Sequence, residues 1–239
     1  MPVNALDQTV IAIVNGFAGR WPTVDRLVFI LAGNHLVKGG VMMAFVWWAW
    51  FCRDDRHEAV RRRKIIVASF AAAAAALALS SFVQLVLPFR PRPIHNLAML
   101  VRNPIGMPSD VMSEWSSFPS DHATLFFALA TGLSLVSWRL GIAAFAYVTL
   151  VIALPRVYLG WHYPTDILGG AVLGCGLASV AEQPAIRERL GRPVLAWAGV
   201  HPQAFHAIFF LVSYQIASLM DDTRVLASFV LRLLRGQLA

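Results

Sequence analysis

The chain has 239 residues and a formal net charge of +7; 58% of its residues are hydrophobic and 14% are charged. A soluble domain carries about 25% charged residues, so this composition excludes an ordinary soluble globule and points to a chain built for the bilayer. The positive charge does not argue for a nucleic-acid partner. Arg53, Arg56, Arg61, Arg62, Arg63 and Lys64 cluster between two apolar stretches, where they read as a positive-inside anchor, and no basic groove with stacking aromatics accompanies them.

Residues 4–18 place Leu6, Val10, Ile13, Val14 and Phe17 at helical spacing and predict a short amphipathic helix lying in the membrane interface. Trp21-Pro22 breaks it. It lacks the basic, apolar and small-residue series of a cleavable signal, so the first span is expected to act as its own uncleaved signal. That span covers 24–52, is interrupted by Gly33-Asn34-His35 and Gly39-Gly40, and carries Trp47, Trp48 and Trp50 near one end, as an aromatic belt would. Further spans are predicted over 65–87, 122–137, 140–155, 164–181 and 203–220. The fold class is therefore all-α: one domain over 1–239, a polytopic bundle of about six transmembrane helices with an interfacial N-terminal helix. The third and fourth spans are short for a hydrocarbon core of about 30 Å and meet in a tight turn at Trp138-Arg139. The tail 221–239 mixes Asp221, Asp222, Arg224, Arg232 and Arg235 with leucine and valine and reads as another interfacial helix. Cys52 and Cys175 have neither metal-ligand spacing nor the look of a disulfide pair, and read as packing residues. Six spans place the loops 53–64, 138–139 and 182–202 on one side. Their arginines and lysine make that side cytoplasmic, and the proline-rich 88–121 loop and the 156–163 turn face the other way.

Three motifs lie on that opposite face. Arg90-Pro91-Arg92-Pro93 follows the second span. Guanidinium groups bind phosphate oxygens bidentately and stay charged at physiological pH, although an interfacial arginine pair beside a stiff loop would look the same. Phe118-Pro119-Ser120-Asp121-His122 opens the third span. Ser120 or Asp121 can cap the helix, the helix start suits a phosphate, and His122 stands where a proton donor could act; a plain cap followed by an interfacial histidine is the alternative. Arg156, His162 and Asp166 form the third motif, across the turn into the fifth span. Asp166 lies four residues after His162, close enough for a carboxylate to hold an imidazole in one tautomer with the histidine itself as nucleophile. Ionisable groups at membrane depth are costly and usually functional.

Together these motifs resemble the type-2 phosphatidate phosphatase family, whose pattern is Lys-x6-Arg-Pro, Pro-Ser-Gly-His and Ser-Arg-x5-His-x3-Asp. Arg92-Pro93, Pro119-Ser120-x-His122 and Arg156-x5-His162-x3-Asp166 match in order. Leu85 stands where the family has its lysine, Asp121 replaces the glycine and Pro155 the serine. The Ser-Asp-His variant and the missing lysine look like the undecaprenyl-pyrophosphate phosphatase branch, as does, more loosely, the segment Leu6-Asp7-Gln8…Asn15-Gly16. The resemblance implies that His162 attacks phosphorus with Asp166 orienting it, and that His122 protonates the leaving oxygen. Arg92, Arg156 and Ser120 would hold the phosphoryl oxygens, with Arg90 as a weaker addition. Asp121 could pair with an arginine or cap the third helix. No metal and no cofactor is expected. The implied substrate is a lipid phosphate or pyrophosphate, first undecaprenyl pyrophosphate, then phosphatidylglycerol phosphate, phosphatidate or lipid A phosphate. The implied place is the inner membrane, with the site on the periplasmic or extracytoplasmic face.

Among the remaining histidines, His35 with Lys38, inside the broken first span, could approach the substrate, although a packing or interfacial role is the more expected one; His57, His95, His201 and His206 receive no catalytic role. Two competing readings are a soluble vanadate-type haloperoxidase, opposed by the apolar spans, and a non-catalytic lipid transporter or scaffold. Only Leu85 supports the transporter reading, against intact His122, His162 and Asp166.

Overall fold

A computed structural model describes residues 4–52, 55–107, 113 and 115–220. Arg53 of the basic cluster, part of the 88–121 loop and the whole 221–239 tail lie outside the described residues. The described residues are helical or irregular, with no strand among them.

The chain opens with α1 (Ala5–Val14), capped by Asn4, and continues through α2 (Pro22–Gly33) and α3 (Val41–Phe51), joined by a π-helical turn over Leu36–Gly40. α2 and the Leu36–Phe51 segment meet at 63°, so the interrupted first span is a bent pair. α4 (Arg56–Val86) follows, with Asp55 accepting from the Glu58 N–H at 2.9 Å as its N-cap. At 31 residues it extends about 45 Å, and it separates the basic cluster at its start from Arg90 and Arg92 just past its end. α5 (Asp121–Val136) lies at the centre against α4, α6 and α8. α6 (Trp138–Tyr147), a π-turn over Val148–Ala153 and α7 (Leu154–Tyr158) form one apolar rod, Trp138–Tyr158. The fourth span is thus longer than the sequence suggested. The π-turn frees backbone groups ahead of Pro155, which has no N–H to give, and lets the helix run on to Arg156. α8 (Pro164–Ala181), α9 (Pro184–Val200) and α10 (Pro202–Ala217) complete the bundle.

Three helices are long and apolar enough to cross a membrane, and a fourth if the bent pair counts as one span. α5, at 16 residues, falls short because it is jacketed by protein: Leu125, Phe126, Ala128 and Leu129 are fully buried. Outward positions are apolar instead, with Leu85 at 84% and Val172 at 75% exposed. That inversion belongs to a multi-pass membrane protein. Close packing of α5 on α8 depends on Gly174, where a Cβ would stand 2.1 Å from the Thr124 carbonyl oxygen.

Three sequence expectations need correction. The stretch 182–202 is not a loop but α9, which docks on α4 through the Lys64–Glu188 ion pair at 2.6 Å. The tryptophans do not form one outward belt: Trp48 faces out, but Trp50 is buried between Phe205 and Phe209, and Trp47 donates to Ser213 at 3.2 Å. Finally, α1 turns polar residues inward. Leu6, Ile13 and Phe17 are half exposed, while Asp7, Ile11 and Asn15, one helical turn apart, are buried.

Candidate active site

Backbone hydrogen bonds tie the three motifs together. The Ile94 N–H donates to the Gly160 carbonyl at 2.9 Å, Ser117 N–H to Arg90 carbonyl at 2.9 Å, and Ser120 N–H to Asp166 carbonyl at 3.2 Å. The turn from α7 into α8 hinges on Gly160, whose φ of +68° disfavours a side chain. There the Arg156 carbonyl accepts from the N–H groups of Trp161 at 2.9 Å and His162 at 3.3 Å, so the arginine and the histidine share one rigid corner.

His162 is buried at that corner. Its Nδ1 lies 2.9 Å from the Ser117 carbonyl oxygen. A carbonyl only accepts, so Nδ1 carries the proton and Nε2 the lone pair. Nη1 of Arg92 sits 3.2 Å from that Nε2 and also donates to the Trp161 carbonyl at 2.8 Å. Asp166 Oδ2 is 3.6 Å from Nδ1. Orientation of the imidazole therefore comes first from Ser117, with Asp166 as a near counter-charge rather than the direct partner the i,i+4 spacing suggested. Burial is the main force pulling the His162 pKa below the ordinary histidine range, and the Arg92 charge pulls the same way. Asp166 and the Ser117 carbonyl partly offset them. The imidazole is neutral at pH 7, as a nucleophile requires. Burial lowers the Arg92 pKa to about 10, which leaves it charged.

Ser120, not Asp121, caps α5, its hydroxyl accepting from the Ala123 N–H at 3.4 Å. Asp121 accepts from Ser80 at 2.6 Å and Gln84 at 2.9 Å. It anchors the α5 start to α4, and its charge also acts on Arg92. Arg156 is 1% exposed and donates to the carbonyls of Ile152 and, at 3.1 Å, Ala32. Arg90 departs from its expected role. One of its terminal nitrogens meets Asp166 at 2.5 Å, the other meets Asp7 at 2.8 Å, and its guanidinium lies 4.0 Å from the centre of the Tyr163 ring. Two carboxylates claim it, so its donors are not aimed at a phosphate. A cavity of about 460 Å³ opens by Phe89, Arg90, Tyr163 and Thr165, and neither Arg92 nor His162 lines it.

Five buried donors on or beside the motifs have no hydrogen-bond partner: Nε of Arg92, Oγ of Ser117, Nε2 of His122, Nε of Arg156 and Nε1 of Trp161. A buried donor without an acceptor costs about 1–3 kcal/mol. Donors of this kind suit a group rich in acceptor oxygens.

The sequence offers Lys38 with His35 as a pair that could approach the site, with packing as the more expected role, and the structure separates the two. Lys38 is 5% exposed in the π-turn, while His35 points outward. The charges acting on His122 are those of Arg156, Lys38, His162 and Arg92. Leu85, at the family's lysine position, faces away. Only the two glycines after Lys38 hinted at a bend that could carry it inward. Sequence reasoning missed Asp25. Fully buried, it accepts from the Tyr158 hydroxyl at 2.6 Å, the Ile105 N–H at 2.9 Å and the Gly19 N–H at 3.0 Å. Asp25→Ala strands these donors and is expected to cost about 3 kcal/mol or more. In detergent its unfolding midpoint should fall by about 6 °C or more; an unchanged midpoint would contradict the anchoring role.

The arrangement defines a class: a polytopic α-helical membrane protein with a buried cluster of arginines and histidines at one end of its bundle. Residues 67–183 match the model of the PAP2 superfamily and are a PAP2 superfamily domain. Over 86 residues, 34% of this chain and 42% of the relative, the sequence is 41% identical to "Putative undecaprenyl-diphosphatase YbjG" of Escherichia coli. Over 63 residues, 25% of this chain and 29% of the relative, it is 38% identical to "Bacitracin transport permease protein BcrC" of Bacillus licheniformis. The chain spans less than half the length of either relative. A solved structure, Aquifex aeolicus LpxE, aligns with a TM-score of 0.49 at 21% identity, covering 74% of this chain and 95% of that one.

Proposed function

We propose that this chain is an integral-membrane phosphatase that hydrolyses a lipid diphosphate, undecaprenyl pyrophosphate to undecaprenyl phosphate, through a phosphohistidine at His162. The observation that carries the proposal is a buried neutral histidine whose Nε2 lone pair lies 3.2 Å from Arg92, whose own Nε has no hydrogen-bond partner. The E. coli relative, by its name, acts on the same lipid.

In the proposed reaction the Nε2 lone pair of His162 bonds to the terminal phosphorus and the P–O bond of the anhydride breaks. Its electron pair goes to the bridging oxygen, which takes a proton from His122, and polyprenyl phosphate leaves. Water then attacks the phosphohistidine, gives its proton back to His122 and releases inorganic phosphate. Arg92 and Arg156 meet the charge on the equatorial oxygens, which is the main demand of phosphoryl transfer. Asp166 steadies the positive imidazole formed between the two steps. The basic residues at the start of α4 support a reading with that end in the cytoplasm and the site on the extracytoplasmic face of the inner membrane, which suits a carrier recycled after delivering its cargo outside.

The test is phosphate release from undecaprenyl pyrophosphate by the purified protein in detergent, with EDTA present and His162→Ala as control. Turnover confined to the unaltered protein supports the proposal; equal release by both sinks it. Arg92 and Arg156 supply the charge a metal would, so EDTA is expected to leave the rate unchanged, and a loss restored by a divalent ion would show that a metal is needed. The name of the Bacillus relative speaks of bacitracin transport and favours a second reading, a transporter without hydrolysis. Substrate bound and released unaltered would support that reading.

A further inference from the structure

Behind the proposed nucleophile, α1 reaches the site through a closed ring of polar contacts. Both oxygens of Asp7, which is fully buried, are engaged: Oδ1 accepts from the Thr165 N–H at 2.9 Å, and Oδ2 from the Thr165 hydroxyl at 2.7 Å and Arg90 at 2.8 Å. Arg90 hands its other nitrogen to Asp166 Oδ1 at 2.5 Å and to the Thr165 oxygen at 3.0 Å. Asp166 Oδ2, in turn, accepts from the Tyr163 N–H at 2.8 Å and lies 3.6 Å from His162 Nδ1. Both carboxylates thus hold amides of the first turn of α8, where negative charge is favoured.

We propose that Asp7 is a positioning residue for the proposed phosphoryl transfer: by sharing Arg90 it keeps Asp166 turned toward His162, so that the N-terminal helix is part of the active-site machinery. Two carboxylates around one guanidinium leave a net negative charge beside the imidazole. Without Asp7, Arg90 belongs wholly to Asp166, cancels its charge and draws it from the ring. A structural prop alone would not need this arrangement, since Leu6, Ile13 and Phe17 already give α1 an apolar face for the membrane.

The sign of the effect follows from the charges that face His162. Arg92, from the loop after α4, and Asp166, on α8, act on His162 directly, and His122 comes near it from α5. Arg90 and Asp7 stand behind Asp166, and Asp121, the other carboxylate, acts on Arg92 from α5. Asp7 is the negative charge that balances Arg90. Neutralising Asp7 therefore makes His162 harder to protonate, and the acid limb of the pH profile moves to lower pH. The phosphohistidine cation also forms less readily, so the plateau falls.

This inference rests on His162 being the nucleophile, and the experiment separates the two. Asp7→Asn is expected to lower kcat about tenfold with little change in KM, and to shift the acid limb of kcat/KM downward by half a pH unit or more. In the Arg90→Gln background the same change should have less than a threefold effect, because the pathway is already cut. The His162 imidazole titration, followed by NMR with 15N-labelled histidine in detergent, should show the same downward shift without requiring turnover. If the substrate reading fails, that titration still decides the inference. An unmoved His162 midpoint, with Asp7→Asn and Arg90→Gln effects that simply multiply, would overturn it.

Discussion

Replacing His162 by alanine is expected to reduce phosphate release on the order of 10⁴-fold or more, the range seen when a covalent nucleophile is removed. The reason is local. Nδ1 is committed to the Ser117 carbonyl at 2.9 Å, so Nε2 is the atom left to attack, and no other histidine is held in that tautomer by the same corner. His122, on α5, has an Nε2 without a partner and is suited to moving protons rather than replacing the nucleophile. The variant should keep its fold, because the Arg156 carbonyl bonds the backbone N–H of residue 162, not its side chain. Rates in excess substrate, compared with the melting curve of the same preparation, separate lost chemistry from lost structure. A loss of less than tenfold would remove His162 from the nucleophile's role.

Arg92→Ala is expected to lower kcat by about 10²–10³, the usual cost of losing a preorganised donor at a developing negative charge. Arg92 is 6% exposed, one of its nitrogens points at Nε2 of His162, and its Nε has no hydrogen-bond partner. In the proposed reaction a phosphoryl oxygen would satisfy that Nε while the histidine nitrogen turns to phosphorus. Arg92→Lys should recover less than a tenth of the lost activity. An ammonium restores the charge but not the fixed fork that reaches the Trp161 carbonyl and the substrate together. Near-complete rescue by lysine would mean that bulk positive charge, not geometry, is what the site needs. Arg90→Ala should behave differently. Its guanidinium is spent on Asp7 and Asp166, so its loss should act through His162 rather than through phosphate affinity.

Much of this site is legible in the sequence because its motifs are local. Pro119-Ser120 before an apolar run marks a helix start, and the structure puts the cap at Ser120. Pro164 and Asp166 mark the start of α8, where the carboxylate closes a capping box on the Tyr163 N–H. Spacing within one turn of chain survives folding, so Arg156, His162 and Asp166 are found together. Contacts made across the chain are harder to read. Asp7 and Arg90 are 83 positions apart, and nothing in the pattern of α1 says that its polar stripe, rather than its apolar one, faces the protein. In water the apolar face is the buried one; in a bilayer lipid takes it and the polar face turns inward. Which of His35 and Lys38 turns inward is unreadable for a related reason: a lysine beside two glycines looks like a loop residue, and only the bend between α2 and α3 carries it into the bundle. The length of α9 escaped notice because its Arg187, Arg189 and Arg192 resemble a cytoplasmic loop and Pro193 resembles a helix breaker, yet the helix continues through it.

The most direct test of the account is a rapid-quench experiment with a polyprenyl diphosphate carrying ³²P in its terminal phosphate. Within a single turnover, label should appear on the protein in an acid-labile, base-stable bond, map to the peptide containing His162, and be absent from His162→Ala. Label on any other residue, or turnover with no phosphoprotein under conditions that trap one in a known phosphohistidine enzyme, would contradict it.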